Sequence, residues 1–269
     1  MDYKKLKLRY IGYYETPILW KGDTIYGLRQ LELQKLPLQP FNEDIKGHLR
    51  LGKLAEQFVS HSFKAHQNIQ VIASGIQIQK NQRTLGELDA IITLDDTPIH
   101  LEIIYKFYLY DEQTGTNEIE HWIGPNKKDS LIQKLEKLKN KQLPLLHQPE
   151  SQNFLKQLSI EPELMEQRVL FKAQLFVPWN KEHIEFSKIN QDCIQGFYIK
   201  EKELPHFKDC KCYMPPKLDW FIIPHPEVDW QTYTAIEPLL LNLLNQQTSP
   251  LVWVKHPNGM ISKCFLVWW

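Results

Sequence analysis

Hydrophobic and polar positions alternate in two runs, TLGELDAIITL at 84–94 and IHLEIIYKFYL at 99–109, separated by Asp95, Asp96, Thr97 and Pro98. Asp side chains bond their own backbone and Pro presets φ, so these four residues favour a turn and the stretch predicts a hairpin of strands 85–94 and 99–109. Pairing Leu94 with Ile99 sets Asp89 against Ile104 and Glu87 against Lys106. Strand side chains alternate faces with period two, so Glu87, Asp89 and Ile91 share a face with Glu102, Ile104 and Lys106. Upstream, Leu51, Leu54, Ala55, Phe58, Val59 and Ser62 recur at helical spacing and predict an amphipathic helix over 46–66, with Glu56 at the edge of the stripe. IQVIASGIQIQK at 69–80 predicts a strand with Gly75 as a bend or bulge.

Beyond the hairpin, 111–120 is polar and Gly124-Pro125-Asn126 is turn-forming, which predicts a mobile loop bordering a substrate. A helix is expected over 127–143, with Leu131, Leu135, Leu138 and Gln142 on a buried stripe and Lys127, Lys134, Lys137 and Lys141 on another. The Pro- and Gln-punctuated stretch 144–167 has room for a short helix. Strands are expected at 169–179, 196–200, 218–224, 250–255 and 261–269, and a helix over 238–247. Asn258-Gly259 is a strong hairpin-turn signal. Residues 1–45 read as a lead-in whose Tyr10, Tyr13, Tyr14, Leu19 and Trp20 pack on the core.

Three acids and a lysine on one face of an apolar hairpin call for a reason, because buried charges are costly unless paired or metal-bound. In the expected register Asp89 and Glu102 are diagonal neighbours, Cβ atoms roughly 7–8 Å apart, a span that one cation bridges. Carboxylates on rigid strands suit a hard divalent ion. The plain alternative is a Glu87–Lys106 ion pair on a solvated face, with Asp89 and Glu102 exposed.

The same residues resemble the site of the PD-(D/E)XK nuclease superfamily, formed by a helix Glu, a strand Asp, and an acid and a Lys on the next strand. More narrowly, RLGKLAEQF at 50–58, LGELDAII at 85–92, HLEIIYKFYL at 100–109 and GPNKKDSLIQKLEKLKNKQL at 124–143 are similar to the bacterial family DUF1853. The resemblance covers residues 45–180 well and the rest loosely. It implies an α/β fold, a restriction-endonuclease-like mixed sheet flanked by helices, here with a β-rich C-terminal extension. The implied activity is Mg²⁺- or Mn²⁺-dependent hydrolysis of phosphodiester bonds, in DNA more than RNA. Glu56 is then the helix acid, Asp89 and Glu102 the metal ligands and Lys106 the lysine. One departure stands out: the superfamily pattern has the second acid two residues before the Lys, where this chain has Ile104, and Glu102 lies four before. A catalytically silent relative that binds nucleic acid or a protein partner is the alternative.

Composition narrows the partners. With 32 basic and 32 acidic residues among 269, the formal charge is zero, so nucleic-acid binding has to come from a local patch. Residues 127–143 hold six Lys against Asp129 and Glu136, a stripe that tracks phosphates or is simply a solvated face. Residues 1–20 lack a signal-peptide pattern and no long apolar run is present, so a cytoplasmic protein with no membrane partner is expected. Four irregularly spaced Cys suit a reducing compartment, and His206, Cys210 and Cys212 lack a second ligand pair, so free thiols are expected. The expected division is a lead-in at 1–45, a nuclease-like core at 46–180 and a β-rich extension at 181–269.

Overall fold

The computed structural model describes residues 3–45, 50–181 and 184–269. In chain order it contains α1 (Tyr3–Glu15), α2 (Leu51–Phe63), β1 (Ile69–Lys80), β2 (Arg83–Leu94), β3 (Thr97–Tyr110), β4 (Trp122–Ile123), α3 (Leu131–Lys137), α4 (Pro149–Gln157) and β5 (Glu166–Pro178). There follow β6 (Ile194–Lys200), β7 (Lys211–Tyr213), β8 (Gln231–Thr232), α5 (Tyr233–Asn245), β9 (Leu251–Lys255) and β10 (Ile261–Val267). The chain is thus mixed α/β. Among the described residues no helix is long and apolar enough to cross a membrane.

Two compact units cut across the boundaries expected at 45/46 and 180/181. One combines described residues of 18–105 and 133–172, the other those of 1–17, 106–132 and 173–269. Strands β3 and β5 each contribute residues to both.

In the first unit β1 and β2 pair antiparallel, as do β2 and β3. Helix α2 buries Leu54, Ala55, Phe58 and Val59 of the expected stripe together with Phe63, whereas Leu51 and Ser62 are only half-buried. The expected opening turn, 46–49, lies outside the described residues. Leu145, Leu146 and Leu155 pack with Ile78, Leu88 and Ile91 as a second apolar cluster. In the β1–β2 ladder Ser74 pairs with Ala90 and Ile76 with Leu88, so Gly75 lies opposite Asp89. Its φ of +64° is the left-handed conformation that only glycine adopts without strain.

The hairpin register differs from the expected one. Leu94 pairs with Thr97, not Ile99, and Ala90 with Leu101. The turn is two residues, Asp95 and Asp96, both at positive φ (48° and 63°), which matches the twist of the flanking strands. Pro98 stands in the strand opposite Thr93. Leu94–Thr97 closes the hairpin as a hydrogen-bonded pair, so the next pair is a non-bonded one and β2 loses nothing to the missing Pro98 N–H. The shift is two residues, so facing is kept and Asp89 gains Glu102 as its opposite number in place of Ile104.

The second unit has strand order β5-β6-β10-β9-β7-β8, with β4 on the end of β3. Strand β6 runs parallel to β5 and β10, whereas β9 is antiparallel to β10 and β7. Helix α5 buries Ile236, Leu240 and Leu244 in a cluster with Val252, Val254 and Leu266. Residues 1–45 also hold an element the pattern did not predict, helix α1, which buries Tyr10 and Tyr13. The strand expected at 218–224 is instead a 3-10 turn over Lys217–Phe221, whose buried Asp219 accepts from Arg9 Nε of α1 at 2.7 Å. All four cysteines are buried free thiols.

The stretch 111–120, expected to be an open mobile loop, is a connected set of hydrogen-bonded turns. Asp111 accepts from Gln113 N and Thr114 Oγ1, Asn117 from Ile119 N, and Glu120 from Thr116 N.

Candidate metal-binding acid cleft

Carrying the β2–β3 register one residue past Ala90 and Leu101 sets Asp89 opposite Glu102. The alternation of the ladder would send the Ile103 N–H to Leu88. It donates instead to Asp89 Oδ2 at 2.9 Å. Asp89 therefore substitutes for the backbone at the point where the regular pairing of the two strands ends. The charge of Glu102 acts directly on the Asp89 carboxyl. Two like charges this close oppose each other's ionisation, so Asp89 and Glu102 act as a dyad. Burial, then the charge of Glu102, pushes Asp89 up to about 7, against the pull of Ile103 N–H, Lys53 and Lys134. Burial likewise pushes Glu102 to about 7, with the charge of Lys134 opposing and that of Glu56 adding.

Helix α2 brings a third acid. Glu56 is raised to about 7 by burial, with the charges of Asp89 and Glu87 adding to it and Lys53 opposing. Lys53, one turn before Glu56, donates to Glu56 Oε2 at 2.9 Å and to Glu87 Oε1 at 2.6 Å. Burial works against the Lys53 charge, but the two carboxylates outweigh it and hold its pKa above the ordinary lysine value. Lys53, Glu56, Glu87 and Asp89 line one cleft of about 950 Å³, together with Arg50, Gly75 and Ile103.

Glu102 is fully buried and gripped from behind. Gln142 Nε2 donates to Glu102 Oε2 in a short contact, and Lys134 Nζ donates to Gln142 Oε1 at 2.7 Å. His100 Nε2 lies 3.3 Å from Glu102 Oε1. Burial drives His100 down to about 4, so the ring is neutral near pH 7. Its tautomer follows from donor logic: Gln167 Nε2 donates to Leu143 O at 2.6 Å and contacts His100 Nδ1 at 3.2 Å. Nδ1 must accept, which leaves the proton on Nε2, facing Glu102.

The expected helix over 127–143 is shorter and changes pitch. Lys127 has φ +54° and its N–H bonds Gly124 O, so the chain there is a turn, and α3 starts at Leu131. After Lys137 the helix widens to a π-turn over Leu138–Gln142. The wider turn carries Gln142 round to the side of Lys134, eight residues earlier, and so to Glu102. Lys137 and Lys141 are exposed, whereas Lys134 is half-buried. Lys127 belongs to the other unit, where its Nζ lies 3.3 Å from Asp111 Oδ2 and 4.1 Å from the Trp269 ring centroid. Lys106 also belongs there, and its Nζ pairs with Asp129 Oδ2 at 2.5 Å.

The structure therefore brings Glu56, Asp89 and Glu102 together and gives Lys106 an acid partner of its own. Sequence reasoning missed Lys53, His100 and Gln167. Two of these had a signal: Lys53 is three residues before Glu56 on a helix, and His100 shares strand parity with Glu102. Gln142 was visible only as part of a buried stripe.

Asp89 and Glu102 offer carboxylate oxygens, the donor type that hard divalent ions take. Among the described residues no group of three or more His, Cys, Asp or Glu side chains is arranged to hold a metal ion. Mg²⁺ needs no such cage, since it commonly binds through one or two carboxylates, waters and substrate phosphates. Glu102 Oε1 is buried without a hydrogen-bond partner, the state of a carboxylate oxygen with coordinating capacity to spare.

Comparison with known proteins gives one family. The family model described as a domain of unknown function, DUF1853, matches residues 20–267. No curated protein and no solved structure matches the chain.

Proposed function

We propose that this chain, which belongs to the DUF1853 family, is a Mg²⁺-dependent nuclease that hydrolyses phosphodiester bonds, with DNA as its substrate. The finer fold reading, a restriction-endonuclease-like core, is part of the same proposal. The observation that carries it is the Asp89–Glu102 dyad: two carboxyls opposite each other on neighbouring strands, both raised to about 7, with Asp89 lining a cleft shared with Glu56 and Lys53 and Glu102 fully buried. Such a pair is destabilising as a structural feature, because each charge is desolvated beside another of the same sign. A divalent cation removes that cost.

Asp89 and Glu102 would hold the ion, which supplies Lewis acidity for activating water and positive charge for the phosphate. Glu56, with a pKa near neutrality, is suited to take a proton from water at physiological pH. Lys53 supplies the ammonium of this cleft, a part that the resemblance assigns to Lys106. Its bonds to Glu56 and Glu87 keep it charged and place it to steady an incoming phosphate.

A second reading has its own observations. Lys106 is paired with Asp129, and Ile104, where the usual second acid stands, is buried and apolar. These favour a nuclease-like protein that binds nucleic acid without cutting it. Single-stranded DNA, duplex DNA and RNA incubated with the protein, each with Mn²⁺, Mg²⁺ or EDTA, separate the two. Cleavage that needs the metal supports the nuclease. Binding with every substrate left intact supports the silent relative.

The exposed lysines give a separate expectation. Replacing Lys137 and Lys141 together by Ala should weaken nucleic-acid binding with little change in sequence preference. The slope of log K against log salt should fall by about 0.9 per lost phosphate contact on duplex DNA. Lys134 is left out of this pair because it supports Gln142 and Glu102. An unchanged slope would assign both lysines to a solvated face.

A further inference from the structure

Buried polar atoms nearly always find partners, so two facing ones without a formed bond mark a place where something is to be completed. His100 and Glu102 are both fully buried, and His100 Nε2 and Glu102 Oε1 each lack a hydrogen-bond partner although they lie 3.3 Å apart. The distance is short enough for a bond and the alignment is wrong. On the far side of the ring, Gln167 holds Nδ1 as an acceptor, and its amide is itself oriented by Leu143 O. The ring cannot move its proton to Nδ1 without setting an N–H against the Gln167 donor, and a flip would set Cδ2–H there. The other Glu102 oxygen is taken by Gln142, backed by Lys134.

We propose that His100 is a positioning residue for Glu102: through a tautomer fixed by Gln167 it presents Nε2–H to Oε1 and, opposite Gln142, sets the rotation of the carboxylate toward Asp89. A small turn of Glu102 converts the 3.3 Å contact into an aligned bond, as polar contacts near a reacting site often tighten only in the assembled complex. Partners of this kind behind a metal-binding carboxylate typically change metal affinity 10–100-fold when removed. The proposal rests on the reading of Asp89 and Glu102 as metal ligands and adds the residue that orients one of them.

The test uses the full-length protein with Mn²⁺ as probe, in isothermal titration at pH 7.5, and thermal melting of the same samples without metal. His100→Gln keeps an N–H donor near the position of Nε2, whereas His100→Leu removes it while filling the space. The expected result is Mn²⁺ affinity at least 10-fold weaker in His100→Leu and within about 3-fold of wild type in His100→Gln, whichever variant melts lower. A purely structural histidine gives the opposite pattern: lowered melting in both variants and wild-type Mn²⁺ affinity in their folded fraction, which overturns the proposal and leaves the metal site standing. Absence of Mn²⁺ binding by the wild-type protein overturns the metal site and this inference with it. Should His100→Leu not fold, Gln167→Leu, which releases Nδ1 without touching the ring, is expected to weaken Mn²⁺ binding in the same direction, and unchanged affinity there also overturns the proposal.

Discussion

Asp89→Asn is expected to abolish metal-dependent cleavage, weaken Mn²⁺ binding at least 10-fold and, without metal, raise the melting temperature at pH 7.5. The first two effects follow from removing one of two anionic ligands while keeping its shape. The third follows from linkage. Asp89 titrates near 7 in the folded chain and near its ordinary value of 3.8 when unfolded. A carboxyl with a raised folded pKa contributes stability that is full below the unfolded pKa and lost as pH rises through the folded one. At pH 7.5 the folded protein carries the whole cost of that charge, and Asn does not. A gain on the order of 5 °C is expected at pH 7.5, shrinking at pH 5, where folded Asp89 is protonated. Paired melts of the two proteins across pH 5–7.5 read it directly. His100 titrates in the opposite sense, but from pH 5 up its folded ring is neutral in both proteins, so it cancels in the difference. If the acids serve only as structural ion-pair partners, Asp89→Asn melts lower than wild type at every pH and Mn²⁺ affinity is untouched.

Divalent metal should stabilise the wild-type chain, and more so at higher pH. A ligand at about 100 times its Kd adds about 2.7 kcal/mol to the folded state. At a few degrees per kcal/mol for a chain of this size, Mg²⁺ or Mn²⁺ against EDTA should raise the melting temperature by at least about 5 °C at pH 7.5. Protons and metal compete for the same oxygens, so the shift should shrink toward pH 5.5, where Asp89, Glu102 and Glu56 are largely protonated. Asp89→Asn should lose most of the shift at both pH values. Scanning calorimetry over a metal series measures this without any nucleic acid, and a flat response to both ions would count directly against a metal-binding dyad.

The amino-acid pattern by itself determined which residues could meet. Period-two alternation in 85–94 and 99–109 put Asp89 and Glu102 on one face, and that survived a register error of two residues because facing depends only on parity. The stripe of α2 was legible for the same reason: Leu54, Ala55, Phe58 and Val59 follow helical spacing regardless of what they pack against. The hairpin at Asn258-Gly259 was written in local backbone chemistry, with Gly259 at φ +88°. Asp95-Asp96 was equally local but misleading, because a neighbouring Pro98 looked like part of the turn and is a strand residue with a harmless missing N–H.

Tertiary structure decided what surrounds those acids. Gln142 reaches Glu102 from 40 residues away, and Gln167 reaches His100 from 67 away. Neither contact has a periodicity, and the first depends on a π-turn that carries no local motif. The raised pKa values have the same origin. A carboxyl at the surface and one under a helix have identical sequences, and only burial and the distance to the next charge separate them. Lys53 and Lys106 show the limit most clearly. Both are lysines near acids in the chain, and it is the fold that sets Lys53 between Glu56 and Glu87 and gives Lys106 to Asp129, because an ammonium pairs with whichever carboxylate the packing of distant segments leaves within reach.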